Sequence, residues 1–359
     1  MIRTRIILTG GGTAGHIWPI IAIAEVLKTN SRIKFFYVGS FNGPEKNIAK
    51  DFDIPFKRIF VGKWRNYFSI SNYLDIFKTF LGIIQSFFII LFFRPTVIFA
   101  KGGYVTIPVL FWAKIFKIPV VTHESDTIMG KANRWAASFA KKICLGFPVK
   151  YYDTLKGFPI DRLIYTGTPV RKEFFQEMPV AINKPTILIT GGSQGAVKIN
   201  NLMLDILPEL IKKYHVIHLA GDQNYQDLKD KFHDSNYELI GFSNQMPKLM
   251  RDSDLIISRA GANTLAEISA LGKASILIPL PTAHLNHQTI NARIYQDQNA
   301  AVVLSEKNLT SSSLLSIINR LMEDSDLRGL LGHHAREFSR SNSTEEIIDL
   351  LFEFGRNNG

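Results

Sequence analysis

Residues 7–27, ILTGGGTAGHIWPIIAIAEVL, run from a short apolar strand through three consecutive glycines into an amphipathic helix that carries His16 near its start. Glycines let backbone amides approach a ligand, and a helix N-terminus carries about half a positive charge. Gly10, Gly12 and Gly15 complete G-x-G-x-x-G between a strand and a helix, the context that the dinucleotide fingerprint demands. A nicotinamide enzyme also places an acid about 20 residues on, at the end of the second strand, to hold the ribose. Here that strand, KFFYVGS, ends in Gly39 and Ser40. The dehydrogenase reading loses its anchor, and a loop suited to a diphosphate or another oxyanion remains.

The same rhythm continues outward. RIILT, KFFYVG, TVIFA, IPVVTHES and KKICLGF alternate with helical patterns, as in a parallel sheet covered on both faces. After the turn-rich TGTPVR and EMPVAINKP the pattern restarts with TILIT, HVIHLAG, YELIGF, DLIISRAG and SILIPLP. LITGGSQGA answers ILTGGGTAG on a second strand-to-helix turn. The expectation is an α/β chain of two Rossmann-like domains, residues 1–168 and 169–340, followed by a terminal helix over 341–359 that packs back on the first domain.

The 359 residues are 46% hydrophobic and 20% charged, a globular composition. Cys144 is the single cysteine, so neither an internal disulfide nor a cysteine metal site is available, and a reducing compartment fits. The N-terminus enters a strand pattern directly, without the features of a signal peptide. Net charge is +11, unevenly shared: residues 1–170 hold 23 Lys+Arg against 9 Asp+Glu, and the remainder holds 19 against 22. A basic first half suits an anionic partner. No RNA-binding signature or long basic tract is present, so nucleic acid is not expected.

Residues 68–93, FSISNYLDIFKTFLGIIQSFFIILFF, are the most apolar stretch. Gln85 and Ser86 interrupt it short of the ~20 residues that a bilayer span needs, so a transmembrane helix is not expected. A helix or two on the sheet explains part of it. The density of phenylalanine near Lys78, Arg94, Lys114 and Lys117 also describes a surface that rests among lipid headgroups.

Two further loops suit phosphate. TGGSQGA, residues 190–196, offers glycines with Ser193 as an added donor. SRAGANTLAEISALG, residues 258–272, ends a strand at a Gly261 turn and begins a helix near Ala262–Thr264. Its first amides and the Thr264 hydroxyl can bind a phosphate, with Glu267 one turn further on for a ribose diol. Asp252-Ser253-Asp254 and Asp324-Ser325-Asp326 resemble sugar-transferase metal motifs but read as caps or solvated turns, and no metal or cofactor is expected.

Taken in order, GGGTAGH, FAKGGYVTIPV, THESD, TGTPVR, GGSQGA, SRAGANTLAEI and NHQTINA resemble the MurG family, bacterial transferases that convert lipid I to lipid II with UDP-GlcNAc. The resemblance implies a GT-B fold, two Rossmann-like domains with parallel sheets facing across a cleft and the donor mainly in the second. Ser343 or Thr344 would cap the return helix. Donor contacts would fall on Thr13, Ala14, Gly15, Asp126, Arg171, Ser193 and Asn200. They would continue on Ser243 and Met246 near the uracil, on Ala262, Asn263, Thr264, Leu265, Ala266 and Glu267, and on Gln288 and Asn291 at the sugar. Gly102, Gly103, Tyr104 and His123 would meet the acceptor. Asp126 stands where the family usually has an amide, and Ala14 where glycine is common.

The implied chemistry is inverting transfer: the C4 hydroxyl of the lipid I MurNAc attacks C1 of UDP-GlcNAc, and UDP leaves towards Ala262–Thr264 and Arg171. His16 is the expected base because its ordinary pKa of about 6.5 suits proton acceptance near neutrality. Glu124 and His123 are rivals. With the nucleotide in the second domain, the first glycine loop is expected to face the diphosphate. The partners implied are UDP-GlcNAc, lipid I, the anionic cytoplasmic face of the cell membrane and other cell-wall synthesis proteins. A UDP-GlcNAc 2-epimerase and a non-catalytic membrane-recruiting subunit are the alternatives.

Overall fold

The computed structural model describes residues 4–62, 71–152, 155, 157–176, 184–192 and 195–356. Runs of Ile, Val, Leu and Phe form strands buried on both faces, which is why they show no alternation in sequence. The chain divides into one unit of Met1–Arg171 with Arg340–Gly359, and a second of Lys172–Ser339.

The first unit holds β1 (Arg5–Gly10), α1 (Ala14–Lys28), β2 (Lys34–Ser40), α2 (Glu45–Asp51), β3 (Phe56–Ile59) and α3 (Ser71–Phe93). It continues with β4 (Val97–Gly102), α4 (Thr106–Ile115), β5 (Val120–Glu124), α5 (Lys131–Ala137), β6 (Lys142–Leu145) and β7 (Leu163–Tyr165). Its seven strands are ordered β3-β2-β1-β4-β5-β6-β7 and the pairs are parallel. The order reverses between β1 and β4, so the loops after Gly10 and Gly102 lie at the switch point, where open α/β sheets form their ligand crevice at the carboxyl edge.

The second unit holds β8 (Thr186–Thr190), α6 (Val197–Lys213), β9 (His215–Leu219), α7 (Asp222–Leu228), β10 (Tyr237–Ile240), α8 (Met246–Arg251) and β11 (Leu255–Ser258). Then follow α9 (Ala262–Leu271), β12 (Ser275–Leu277), α10 (His287–Asp297), β13 (Val302–Val303), α11 (Ser311–Glu323) and α12 (Ser325–Arg336). The order β10-β9-β8-β11-β12-β13 puts its reversal between β8 and β11.

The last helix, α13 (Ser343–Arg356), belongs to the first unit. Ile347 and Leu351 are fully buried with Ile17 and Ile20 of α1 and with Val97 and Phe99 of β4. Ser343 does not cap this helix as expected: it is already inside it, and its hydroxyl donates to the Gly167 carbonyl at 3.0 Å. Asp324 does cap α12, accepting from the Leu327 amide at 2.8 Å, and Asp254 accepts from Thr186 N at 2.8 Å. Both aspartate motifs therefore serve local structure.

α3 is one unbroken helix, and Asp75–Phe93 is long and apolar enough, by length and composition, to cross a bilayer. Gln85 and Ser86 do not interrupt it; they turn inward. Gln85 Oε1 accepts from Phe60 N at 2.7 Å, Ser86 is fully buried, and the Trp112 indole of α4 donates to the Ile83 carbonyl at 2.7 Å. These bonds dock one face on the unit. The opposite face leaves Phe77, Phe80, Ile84, Phe88 and Phe92 exposed, at the three-and-four spacing of a helix stripe.

Because α13 closes the first core, Leu351→Ala is expected to destabilise that unit by about 3 kcal/mol, read as a lower urea midpoint at unchanged slope.

Candidate active site

In the first unit the residues expected at the site lie around the switch point between β1 and β4. Gly11 and Gly12 sit at φ +151° and +90°, and Gly103 at +82°. The two loops touch: Gly11 N donates to Gly102 O at 3.3 Å, and a Cβ on Gly103 would lie 3.3 Å from His16 Nδ1. Thr13 precedes α1, and its hydroxyl meets His16 Nδ1 at 3.0 Å. Ala14 opens the helix, and Gly15 follows in its exposed first turn. Burial first, and the Lys101 ammonium second, push the half-buried His16 down to about 3. The ring is therefore neutral throughout the physiological range.

Lys101 is the residue that sequence reasoning passed over. Only 1% of it is exposed, and among the described residues its ammonium makes no hydrogen bond. Burial lowers its pKa, while Glu124 and then Asp126 oppose that shift. A buried ammonium is costly, and the sequence signal was there in FAKGGYV: a lysine near the end of a strand that is buried throughout.

The first glycine loop is not open to a phosphate at every amide. Gly12 N donates to Glu45 Oε1 at 2.5 Å, and Gly11 N to Gly102 O at 3.3 Å. Glu124 is likewise occupied. It accepts from the Asp126 amide at 3.1 Å, from Gly130 N at 3.0 Å and from Asn133 Nδ2 at 2.9 Å, and burial raises its pKa. Such a carboxylate shapes the loop after β5 and is poorly placed to act as a free base.

His123 does not reach an acceptor: it is fully buried in β5, with Nε2 2.9 Å from the Gly167 carbonyl. A carbonyl only accepts, so Nε2 carries the proton. Burial, with Lys101, holds the ring well below the usual imidazole range. Arg171 is also spent on packing, 5% exposed with its guanidinium 4.8 Å from the Trp18 ring and 5.6 Å from Phe52. Tyr104, partly buried over Gly12, is raised to about 12 by burial, Glu45 and Asp75.

In the second unit the loops after β8 and β11 flank the reversal point. Ser193 lies outside the described residues. α9 starts after Gly261 with no side-chain cap and no acidic residue in its first turn, and a Cβ on Gly261 would meet nothing within 4 Å. A helix start without a side-chain cap is suited to an anion. Ala262 and Leu265 are buried, and Leu265 N donates to Gly261 O at 3.0 Å, so Leu265 offers a ligand nothing, while Asn263, Thr264, Ala266 and Glu267 are partly exposed. At the other end Gly272 closes α9 in the left-handed conformation, and Lys273 N donates to Ile268 O at 3.1 Å. The Tyr295 hydroxyl of α10 donates to the Leu265 carbonyl at 3.1 Å, fixing α9 in place.

Asn291 is fully buried and donates to the Ala260 carbonyl at 3.3 Å, so it holds the turn before α9 and does not touch a sugar. Gln288, half-buried, uses Oε1 to accept from Leu280 N at 3.0 Å. Asn200 is a core residue: Nδ2 donates to Ala220 O at 3.1 Å, and Oδ1 lies 3.0 Å from His218 Nε2. That also takes Asn200 out of the donor contacts. Ser243 Oγ accepts from Gln245 N at 3.0 Å just before Met246 begins α8, beside the exposed Phe242.

Two models match the chain: the glycosyltransferase family 28 N-terminal domain over residues 6–145 and the family 28 C-terminal domain over 186–346. The fold is that of a solved Acinetobacter baumannii MurG, at TM-score 0.73 and 26% identity over 98% of this chain and 99% of that one. A putative UDP-N-acetylglucosamine 2-epimerase from Listeria monocytogenes shares the fold alone, at 0.73 but 11% identity over 100% and 98%. Two Rossmann-like units carrying these domains make the protein a glycosyltransferase of the GT-B type.

A Clostridium perfringens UDP-N-acetylglucosamine–N-acetylmuramyl-(pentapeptide) pyrophosphoryl-undecaprenol N-acetylglucosamine transferase is 40% identical, over 98% of each chain. The chain belongs to this family, the MurG transferases.

His16, His123 and His218, the last lowered to about 4, are all held neutral by burial. The unfolded chain takes up protons below about pH 6.5 that the fold refuses, so their contribution to stability is lost as pH falls towards 4. The urea midpoint should drop between pH 7 and pH 5, and His218→Gln should flatten that dependence in the second unit.

Proposed function

We propose that the chain carries out the reaction for which its relatives are named: transfer of GlcNAc from UDP-GlcNAc to N-acetylmuramyl-pentapeptide pyrophosphoryl-undecaprenol, lipid I, giving lipid II. The observation that carries this reading is the near end-to-end identity of 40% to such a transferase. The MurNAc C4 hydroxyl attacks C1 of GlcNAc, the C1–O bond to UDP breaks, and the hydroxyl proton passes to a base. The uncapped start of α9 receives the charge that grows on the UDP diphosphate, with Glu267 at the ribose and Gln288 towards the sugar.

His16 is the base. In the free protein its basicity is suppressed, in part by Lys101. A lipid I diphosphate held beside Gly102, Gly103 and Tyr104 adds negative charge near Lys101 to that of Glu124 and Asp126. It offsets the lysine charge and raises His16 towards the range in which it accepts a proton. Acceptor binding then activates the base.

The apolar stripe of α3, with Phe111, Ile115 and Phe116 at α4 and exposed Lys78, Arg94, Lys114 and Lys117 around it, rests on the cytoplasmic leaflet. It brings the crevice to a membrane-held acceptor.

Incubation with labelled UDP-GlcNAc and a lipid I analogue tests the reaction. Lipid II formation is expected; ManNAc formation would identify an epimerase instead, and no reaction a recruiting subunit. Lys101→Met should raise the lipid I KM about 10-fold or more and leave the UDP-GlcNAc KM unchanged. It should also raise the His16 pKa of the free protein, as followed by NMR. Replacing Phe77, Phe80 and Phe88 together with serine should weaken binding to anionic vesicles about 100-fold or more, measured by co-sedimentation.

A further inference from the structure

Glu45, the first residue of α2, is fully buried in the middle of the first glycine loop. Its Oε1 accepts from the Gly12 amide at 2.5 Å, and its Oε2 accepts from the Ser40 hydroxyl at 2.9 Å. A Cβ on Gly11 or on Gly43 would overlap this carboxylate, so glycine at both positions is what gives it room. The rest of the loop is pinned around it. The Tyr37 hydroxyl donates to the Gly10 carbonyl at 2.8 Å, and a Cβ on Gly12 would lie 2.6 Å from the Tyr104 ring. The next two side chains of consequence are Thr13 and His16, joined at 3.0 Å.

A buried carboxylate is costly, and filling alone is better served by an apolar side chain. What the carboxylate adds is a charge-assisted bond to one chosen amide. We infer that Glu45 is the resident anion of this loop: a positioning residue that takes the amide where a dinucleotide-binding loop would seat a phosphate, and so holds Thr13 and His16 against the Gly102–Tyr104 turn. The inference rests on the transferase reading given above for its catalytic consequence, though not for the anion site itself.

Glu45→Ala leaves a carboxylate-sized space lined by Gly11, Gly12, Gly43 and the Ser40 hydroxyl, which formate fits. In the lipid II assay this variant should lose about 100-fold in kcat, the scale of a misplaced catalytic group, with its UDP-GlcNAc KM within about twofold of the parent. Sodium formate should restore much of that kcat and raise the variant's Tm, with no effect on the parent. Glu45→Gln, which still accepts from Gly12 through its amide oxygen but without the charge, should fall between the parent and the alanine variant in kcat. A folded Glu45→Ala with the parent's kcat overturns the inference, as does a loss that formate leaves untouched and Glu45→Gln shares. If the alanine variant does not fold, Glu45→Asp, which draws the carboxylate back from Gly12, should lower kcat in a folded protein; parental kcat there also overturns it. A parent protein that forms no lipid II refutes the transferase reading instead, and the formate-dependent Tm of Glu45→Ala still decides the anion site.

Discussion

Parallel strands joined by helices direct the start of each crossover helix to one edge of the sheet, so amides without intrahelical partners collect there. Everything functional in this protein follows from how each unit deals with that edge. The first unit answers from within, by giving the Gly12 amide the carboxylate of Glu45. The second leaves α9 without a side-chain cap, with open space beyond Gly261. The two helix starts therefore differ: at the first a side chain of the protein takes an amide, and at α9 no side chain caps the end.

Charge divides the units in the same sense. Lys101 lies buried at the end of β4 without a hydrogen-bond partner among the described residues, and its field helps keep His16 and His123 neutral. A cation held this way costs stability in the free protein and is relieved by an anionic ligand. In the second unit the neutral dipole of α9 takes that role. In the proposed reaction the acceptor diphosphate and the nucleotide donor would therefore meet different electrostatic receptors.

The strands, the helices between them and three glycine turns were legible in the sequence because they are local: runs of apolar residues ended by glycine, followed by helical spacing. Partnerships across the chain were not. The search for an acid stopped at Ser40, where a dinucleotide site would have it, whereas Glu45 stands five residues later and reaches back 33 positions to Gly12. His123, Asn200 and Asn291 have the right types for ligand contacts, yet each is enclosed and bonded to backbone carbonyls. Arg171 looked like a diphosphate ligand until Trp18 and Phe52 were found beneath it. Gln85 and Ser86, read as breaks in an apolar run, are the inward face of one helix.

The central claim is that the nucleotide diphosphate belongs to α9 and not to the first glycine loop. Titration of 15N-labelled protein with UDP, followed through backbone amide resonances, tests it directly. The account predicts large shifts at Ala262, Asn263 and Thr264, while Gly11 and Gly12 stay where they are. Saturable shifts at Gly12 with an unmoved α9 would contradict it.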